Sequence, residues 1–241
     1  MAAAYNDVMI QRAAQDTTMR FRVTRPDVLR YLGYAGQRVD TSLEERLDGM
    51  ISRCEWVSNP GWMFSVFPLS AGEGGLRLDG TTLVLRGADI QEHLAGAREC
   101  AVMAATAGLG NERELRRLSA LNGLDGMMFD AAATALVETV ADACNAAIVA
   151  EAKARGMYAK WRYSPGYGDF PLEIQSQIVR VLGADKQLGI TVTDSSLLIP
   201  AKSVTAFVGL FDEPQDDKRS CAHCGFAQYC DLPKKGTPCY R

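Results

Sequence analysis

Apolar residues recur at helical spacing early in the chain, give way to strand-like runs after Gly61, and return to helical spacing in the middle. Thr24-Arg25-Pro26-Asp27 reads as a helix start: Thr24 or Arg25 is the polar cap, and Pro26 stands in the first turn, where a missing N–H costs nothing. Val28, Leu29, Tyr31 and Leu32 follow, and Gly33 ends the element. A second helix opens at 41–45, and its Leu43, Leu47, Met50 and Ile51 lay an apolar stripe toward a core. Segments 63–69, 76–78 and 83–85 read as strands, with Asp79-Gly80 as a hairpin turn. Residues 88–94 resume helix. An alanine-rich run over 99–106 stops at Gly108, and its small side chains predict close helix packing in preference to close approach to a ligand.

Segment 111–121 is an amphipathic helix, and 125–155 reads as one long helix with Met128, Ala132, Ala135, Leu136, Val140, Ala143 and Ile148 facing inward. Glu138 and Asp142 lie four apart and share a face of it. They are either a buried functional pair or, as the rarity of buried carboxylates favours, exposed or salt-bridged acids. Segment 157–163 alternates as a strand that delivers Arg162 to a turn. Asp169 is placed to cap the next helix, with Pro171 in its first turn and Leu172, Ile178, Val179 and Leu182 on its buried side. Gly183 and Gly189 bracket its exit. Segment 204–211 is apolar at nearly every position, as expected of a central strand covered on both faces, and 212–220 reads as a linker.

With 241 residues, 47% of them hydrophobic and 23% charged, the chain can bury a full core. A net charge of −3 without a basic stripe argues against nucleic-acid binding by phosphate neutralisation. Arg113, Arg116 and Arg117 alternate with Glu112 and Glu114 as on a solvated helix face. The first residues lack the basic and apolar regions of an export signal, and no stretch reads as the ~20 apolar residues of a membrane span. A cytoplasmic location without membrane association is the expectation. Seven cysteines in so long a chain, four of them from Cys221 onward, favour metal or redox chemistry over disulfides. Cys54, Cys100 and Cys144 fall in helical patterns as small buried residues.

The candidate chemistry concentrates in Arg162-Tyr163-Ser164-Pro165-Gly166-Tyr167-Gly168-Asp169-Phe170-Pro171. Pro165 fixes one dihedral and Gly166 accepts a positive φ, so the backbone can come close to a ligand. Arg162 offers a fork of donors shaped for a carboxylate, and Tyr167 a flat ring with a hydroxyl. His93, within a helical stretch, is expected at the surface or in a cap.

Arg-x-x-Pro-Gly-Tyr-x-x-x-Pro followed by Pro200-Ala201-Lys202-Ser203-Val204 resembles the activation domain of cobalamin-dependent methionine synthase, most closely its short stand-alone forms. Val28-Leu29-Arg30-Tyr31-Leu32-Gly33-Tyr34 and Ala104-Ala105-Thr106-Ala107-Gly108 resemble it too, so the likeness runs from about residue 25 to 211. The resemblance implies an α/β (α+β) fold: a central twisted, mainly antiparallel sheet with packed helices, one of them long and central. Residues 1–20 then form an extension, 21–212 the activation-like domain and 213–241 a small Cys-rich tail. It also implies S-adenosylmethionine as ligand, with Arg162 at its methionine moiety, Pro165 shaping the turn, Gly166 and Tyr167 along it, and Tyr167 near the corrin. The partner would be a separate cobalamin-binding methionine synthase subunit or other corrinoid protein, with an electron donor beside it, and this chain would assist without being catalytic alone. An acidic residue that the long synthases carry six positions before the arginine corresponds to Gly156 here, which leaves Glu151 or Glu55 as acceptors for the ligand ammonium.

Cys221, Cys224, Cys230 and Cys239 could close a zinc site or hold an iron–sulfur cluster, or form a tail of free thiols, with His223 among them. A cluster there would make the chain a redox partner of a corrinoid protein; zinc would build a docking scaffold.

Overall fold

The computed structural model describes residues 20–34 and 36–215. The extension before residue 20, His223 and the four tail cysteines lie outside the described residues. Helix α1 (Arg25–Tyr31) is capped by Thr24, whose side chain accepts from the Asp27 amide, and α2 (Thr41–Val57) by Asp40. Strands β1 (Gly61–Gly72), β2 (Gly75–Leu78) and β3 (Val84–Leu85) follow as an antiparallel meander. The hairpin expected at Asp79-Gly80 joins β2 to β3, and a second one at Glu73-Gly74 joins β1 to β2.

The alanine-rich run is not part of a helical stretch. It forms strand β4 (Glu99–Thr106), hydrogen-bonded along its length to β1 on one side and to β8 (Ser203–Phe211) on the other. Its two faces enter different cores: Ala101, Met103 and Ala105 pack toward the long helix α5 (Gly123–Ala154), Cys100, Val102 and Ala104 toward the opposite layer. A strand covered on both faces loses its polar alternation and looks, in sequence, like any short apolar run. Close helix packing does occur here, because α5 lies on the alanine face.

With the edge strand β5 (Tyr158–Ala159) the sheet runs β3-β2-β1-β4-β8-β5 with every neighbour antiparallel. On one face α5 packs with α1, α2 and α4 (Leu109–Leu121). The other face carries α3 (Ala88–His93), α6 (Gln175–Leu182) and α7 (Ala184–Leu188), with a small ribbon of β6 (Thr191–Val192) and β7 (Leu198–Ile199). The fold thus matches the expected architecture, with the long helix beginning at Gly123. Of its expected inward positions Ala143 is only half-buried, and Cys144, one residue on, is fully buried.

Contrary to the sequence expectation, α5 is long and apolar enough to cross a membrane by length and composition. In this fold half of that apolar stretch is buried against the sheet and the flanking helices. Asn122 starts α5, its side-chain oxygen accepting from the Leu124 and Asp125 amides at 3.0 and 3.2 Å. Replacing it with alanine orphans both donors, so Asn122→Ala is expected to lower stability by about 1 kcal/mol, read as a shift in the urea midpoint at constant slope.

Cys54, Cys100 and Cys144 are buried free thiols, as expected, but Cys100 lies in strand β4 and not in a helix. Burial pushes them up to about 11, 12 and 12 respectively, which leaves them protonated and unreactive.

Candidate functional site

The segment from Ala159 to Pro171 owes its shape to a register shift. Tyr158 pairs with Phe211 and Ala159 with Leu210, but Tyr163 pairs with Phe207, so four steps on this strand face three on β8. One inserted residue is a β-bulge, and it reverses which face each later side chain takes. Ala159 therefore packs on the α5 side, while Tyr163 packs with Phe170 and Phe207 on the other. Arg162, between them, is sent back toward α5.

There it meets the two acids at helical spacing. Arg162 Nη1 donates to Asp142 Oδ1 at 2.6 Å and Nη2 to Glu138 Oε2 at 2.8 Å. The guanidinium side chain is 14% exposed, the two acids 41% and 61%. Burial by itself would lower the Arg162 pKa, but Asp142 and Glu138 outweigh it and hold the group above its usual range. Glu138 and Asp142 are thus salt-bridged acids, as the commoner reading of the sequence had it. Arg162 is engaged with them and does not project into bulk solvent. A guanidinium has five N–H donors, so these two bonds do not exhaust it. Tyr31, at the end of α1, sits against the same acids: partial burial first, then Glu138 and in smaller part Asp142, raise its hydroxyl above the usual range, with Arg30 pulling the other way.

Past Arg162 the chain turns sharply. Tyr163 exchanges both backbone bonds with Phe207 at 2.9 Å. Pro165 is buried, and Gly166 takes φ +88° while its amide donates to the Phe170 carbonyl at 2.9 Å. Phe170 in turn donates to the Tyr167 carbonyl at 3.0 Å. The bend is closed on itself, with Tyr167 at its apex, 52% exposed.

Asp169 does not cap the helix that follows. That helix begins after a turn of 3-10 helix at Leu172–Ile174, where Pro171 is the preceding residue. Asp169 caps α3, its two carboxylate oxygens accepting from the amides of Ala88 at 2.5 Å and Asp89 at 3.0 Å. Sequence separation of about eighty residues hides this partner, whereas the apparent partner lies adjacent; local capping rules favour the wrong one.

His93 is buried and not at the surface: its Nε2 lies 2.9 Å from the Trp161 carbonyl and its ring packs on Trp161 and Tyr163. Gly156 follows the end of α5 with φ +72°, and offers no side chain. Of the two proposed substitutes, Glu55 is committed elsewhere, accepting from Arg22 Nη1 at 2.5 Å and from the Val23 amide at 2.8 Å. Glu151 is partly buried near the end of α5. The downstream block is anchored on α4 and α5: the Ala201 amide donates to Glu112 at 2.8 Å and Lys202 pairs with Asp130 at 2.8 Å. Behind the bend, a shallow cavity of about 350 Å³ is lined by Thr82, Val84, Arg86 and Glu173 together with Phe170 and Pro171. Among the described residues no cluster of His, Cys, Asp and Glu is placed to hold a metal ion.

The arrangement is a cation between two acids with the Tyr31 phenol against them, followed three residues on from Arg162 by a closed backbone bend that exposes Tyr167. The model of one protein family, "Vitamin B12 dependent methionine synthase, activation domain", matches residues 90–235. In fold the chain is similar to a solved structure described as the "MetH Reactivation Domain bound to AdoHcy". The TM-score is 0.56 and the identity 17%, over 87% of this chain and 80% of the other. At that identity the likeness concerns the fold alone. No curated protein matches the chain.

Proposed function

We propose, on the premise that this chain belongs to the family of vitamin B12 dependent methionine synthase activation domains, that it binds S-adenosylmethionine and assists methylation of a cobalamin held by a separate protein. The observation that carries this reading is Arg162, held between Glu138 and Asp142 beside the Pro165-Gly166-Tyr167 bend. The remaining donors of the guanidinium serve the ligand carboxylate. Glu138 and Asp142 serve its ammonium, which supplies the acceptor that Gly156 lacks. Tyr167, exposed at the apex, lies along the nucleoside and faces the corrin.

The sulfonium supplies the methyl group; with one electron from a separate donor it converts the partner's cob(II)alamin to methylcobalamin and leaves S-adenosylhomocysteine. What this chain contributes is orientation, since holding both reactants in line removes most of the entropic cost of their meeting. No general base is needed for that step, and none is assigned. The four tail cysteines belong to the same proposal as ligands of zinc or of an iron–sulfur cluster, the latter a source of the electron.

Calorimetric titration tests the binding. Saturable one-to-one heats are expected with S-adenosylmethionine and with S-adenosylhomocysteine. Glu138→Gln combined with Asp142→Asn should weaken both by roughly tenfold or more, through loss of two charge-assisted bonds. Absence of heat and of any Tyr fluorescence change with the unaltered protein would overturn the reading.

A further inference from the structure

We infer that Asp89 and Asp169 form a reciprocal clasp between α3 and the bend, and that this clasp positions Tyr167 for the ligand. The inference rests on the reading of the bend as the ligand site. Asp169 gives both carboxylate oxygens to the first amides of α3, and Asp89, within that turn of α3, returns its Oδ2 to the Asp169 amide at 3.1 Å. Each residue is thus both side-chain acceptor and backbone donor to the other, across a gap of eighty positions.

The chain is trimmed to let this happen. A Cβ on Gly168 would lie 1.8 Å from Asp89 Oδ2 and 2.9 Å from the Tyr163 hydroxyl, at a φ of +54° that side chains other than glycine adopt with difficulty. On the facing strand-to-helix junction a Cβ on Gly87 would lie 2.8 Å from Asp169 Oδ1 and 3.0 Å from the Asp169 carbonyl oxygen. Two glycines therefore bracket two aspartates. Their carboxylates act on the Tyr163 hydroxyl, which burial first and then Asp89 and Asp169 push up to about 12.

The clasp has little to do for the core, since both aspartates are exposed. Its effect is on the bend. Arg162 and the Tyr163–Phe207 pairing secure one end, and the clasp secures the other, so that Tyr167, two residues before Asp169, is held at both sides. Releasing Asp169 leaves that side of the bend to the buried Phe170 and its two backbone bonds alone, and the part of the ordering that the clasp supplied must then come from ligand binding.

The test is a double-mutant cycle read by S-adenosylhomocysteine titration and by hydrogen exchange of the bend amides. Asp169→Ala and Asp89→Ala are each expected to weaken binding by about tenfold, and the double variant no further, because both act through one contact. Asp89→Asn, which keeps an acceptor for the Asp169 amide, should restore most of the affinity. Faster exchange at Gly166 and Phe170 in both alanine variants is expected without ligand present. Full affinity in Asp169→Ala and Asp89→Ala, or additive losses, overturns the clasp while leaving the binding reading intact. Lower thermal stability with unchanged affinity reduces it to a helix cap. An unaltered protein that binds nothing but whose bend amides still exchange faster in the alanine variants overturns the binding reading and the role of the clasp in it, and keeps only the mechanical link.

Discussion

Arg162→Ala is expected to weaken S-adenosylmethionine by about 30- to 1000-fold, the equivalent of about 2–4 kcal/mol, with little change in melting. Both halves of that expectation come from the geometry. The side chain is 14% exposed and bonded to acids that are themselves 41% and 61% exposed. Removing the cation leaves Glu138 and Asp142 unpaired but hydrated, so the cost to folding stays within about 1 kcal/mol. A ligand carboxylate, in contrast, loses the only cation that the proposed reading gives it. Arg162→Lys should recover little, because a single ammonium cannot serve two acids and a carboxylate with the same planar fork. Titration calorimetry with a parallel thermal melt reads the two effects apart. An unchanged dissociation constant in Arg162→Ala would remove Arg162 from the site.

The second large effect is on folding. Phe207→Ala is expected to destabilise the protein by about 3–5 kcal/mol, measured by urea unfolding. Phe207 has no exposed surface and stands in β8, covered on both sides of the sheet. Its backbone holds Tyr163 through two bonds of 2.9 Å, and its ring meets Phe170 edge-on at 5.5 Å. Truncation therefore opens a void under the bend itself. Ligand binding should suffer beyond the loss of folded protein, and saturating ligand should recover part of the stability. A loss below about 1 kcal/mol would show that the site collapses readily around the missing ring.

Much of this was legible in the sequence. The caps of α1 and the length of α5 follow from local signals, and the bend announces itself through Pro165 and Gly166. The i,i+4 acids of α5 were visible as a pair, but their partner was not, because Arg162 reaches them only through a bulge that no residue type betrays. Strand β4 was misread for a different reason: periodicity carries information only when one side of an element meets water, and Glu99–Thr106 meets none along most of its length. Asp169 and His93 failed together. Each has an ordinary local role that the sequence suggests, and each is instead engaged by a segment distant in the chain, Asp169 by α3 and His93 by Trp161.

The two acids on α5 also determine what the resting protein ignores. Phosphate, acetate and nucleotides arriving at the remaining donors of Arg162 meet the two carboxylates as well, whose like charge counts against a bare anion. A molecule that carries an amine beside its carboxylate brings the compensation with it. On the proposed reading, selectivity for amino-acid headgroups over stray cellular anions is expected before anything engages the nucleoside.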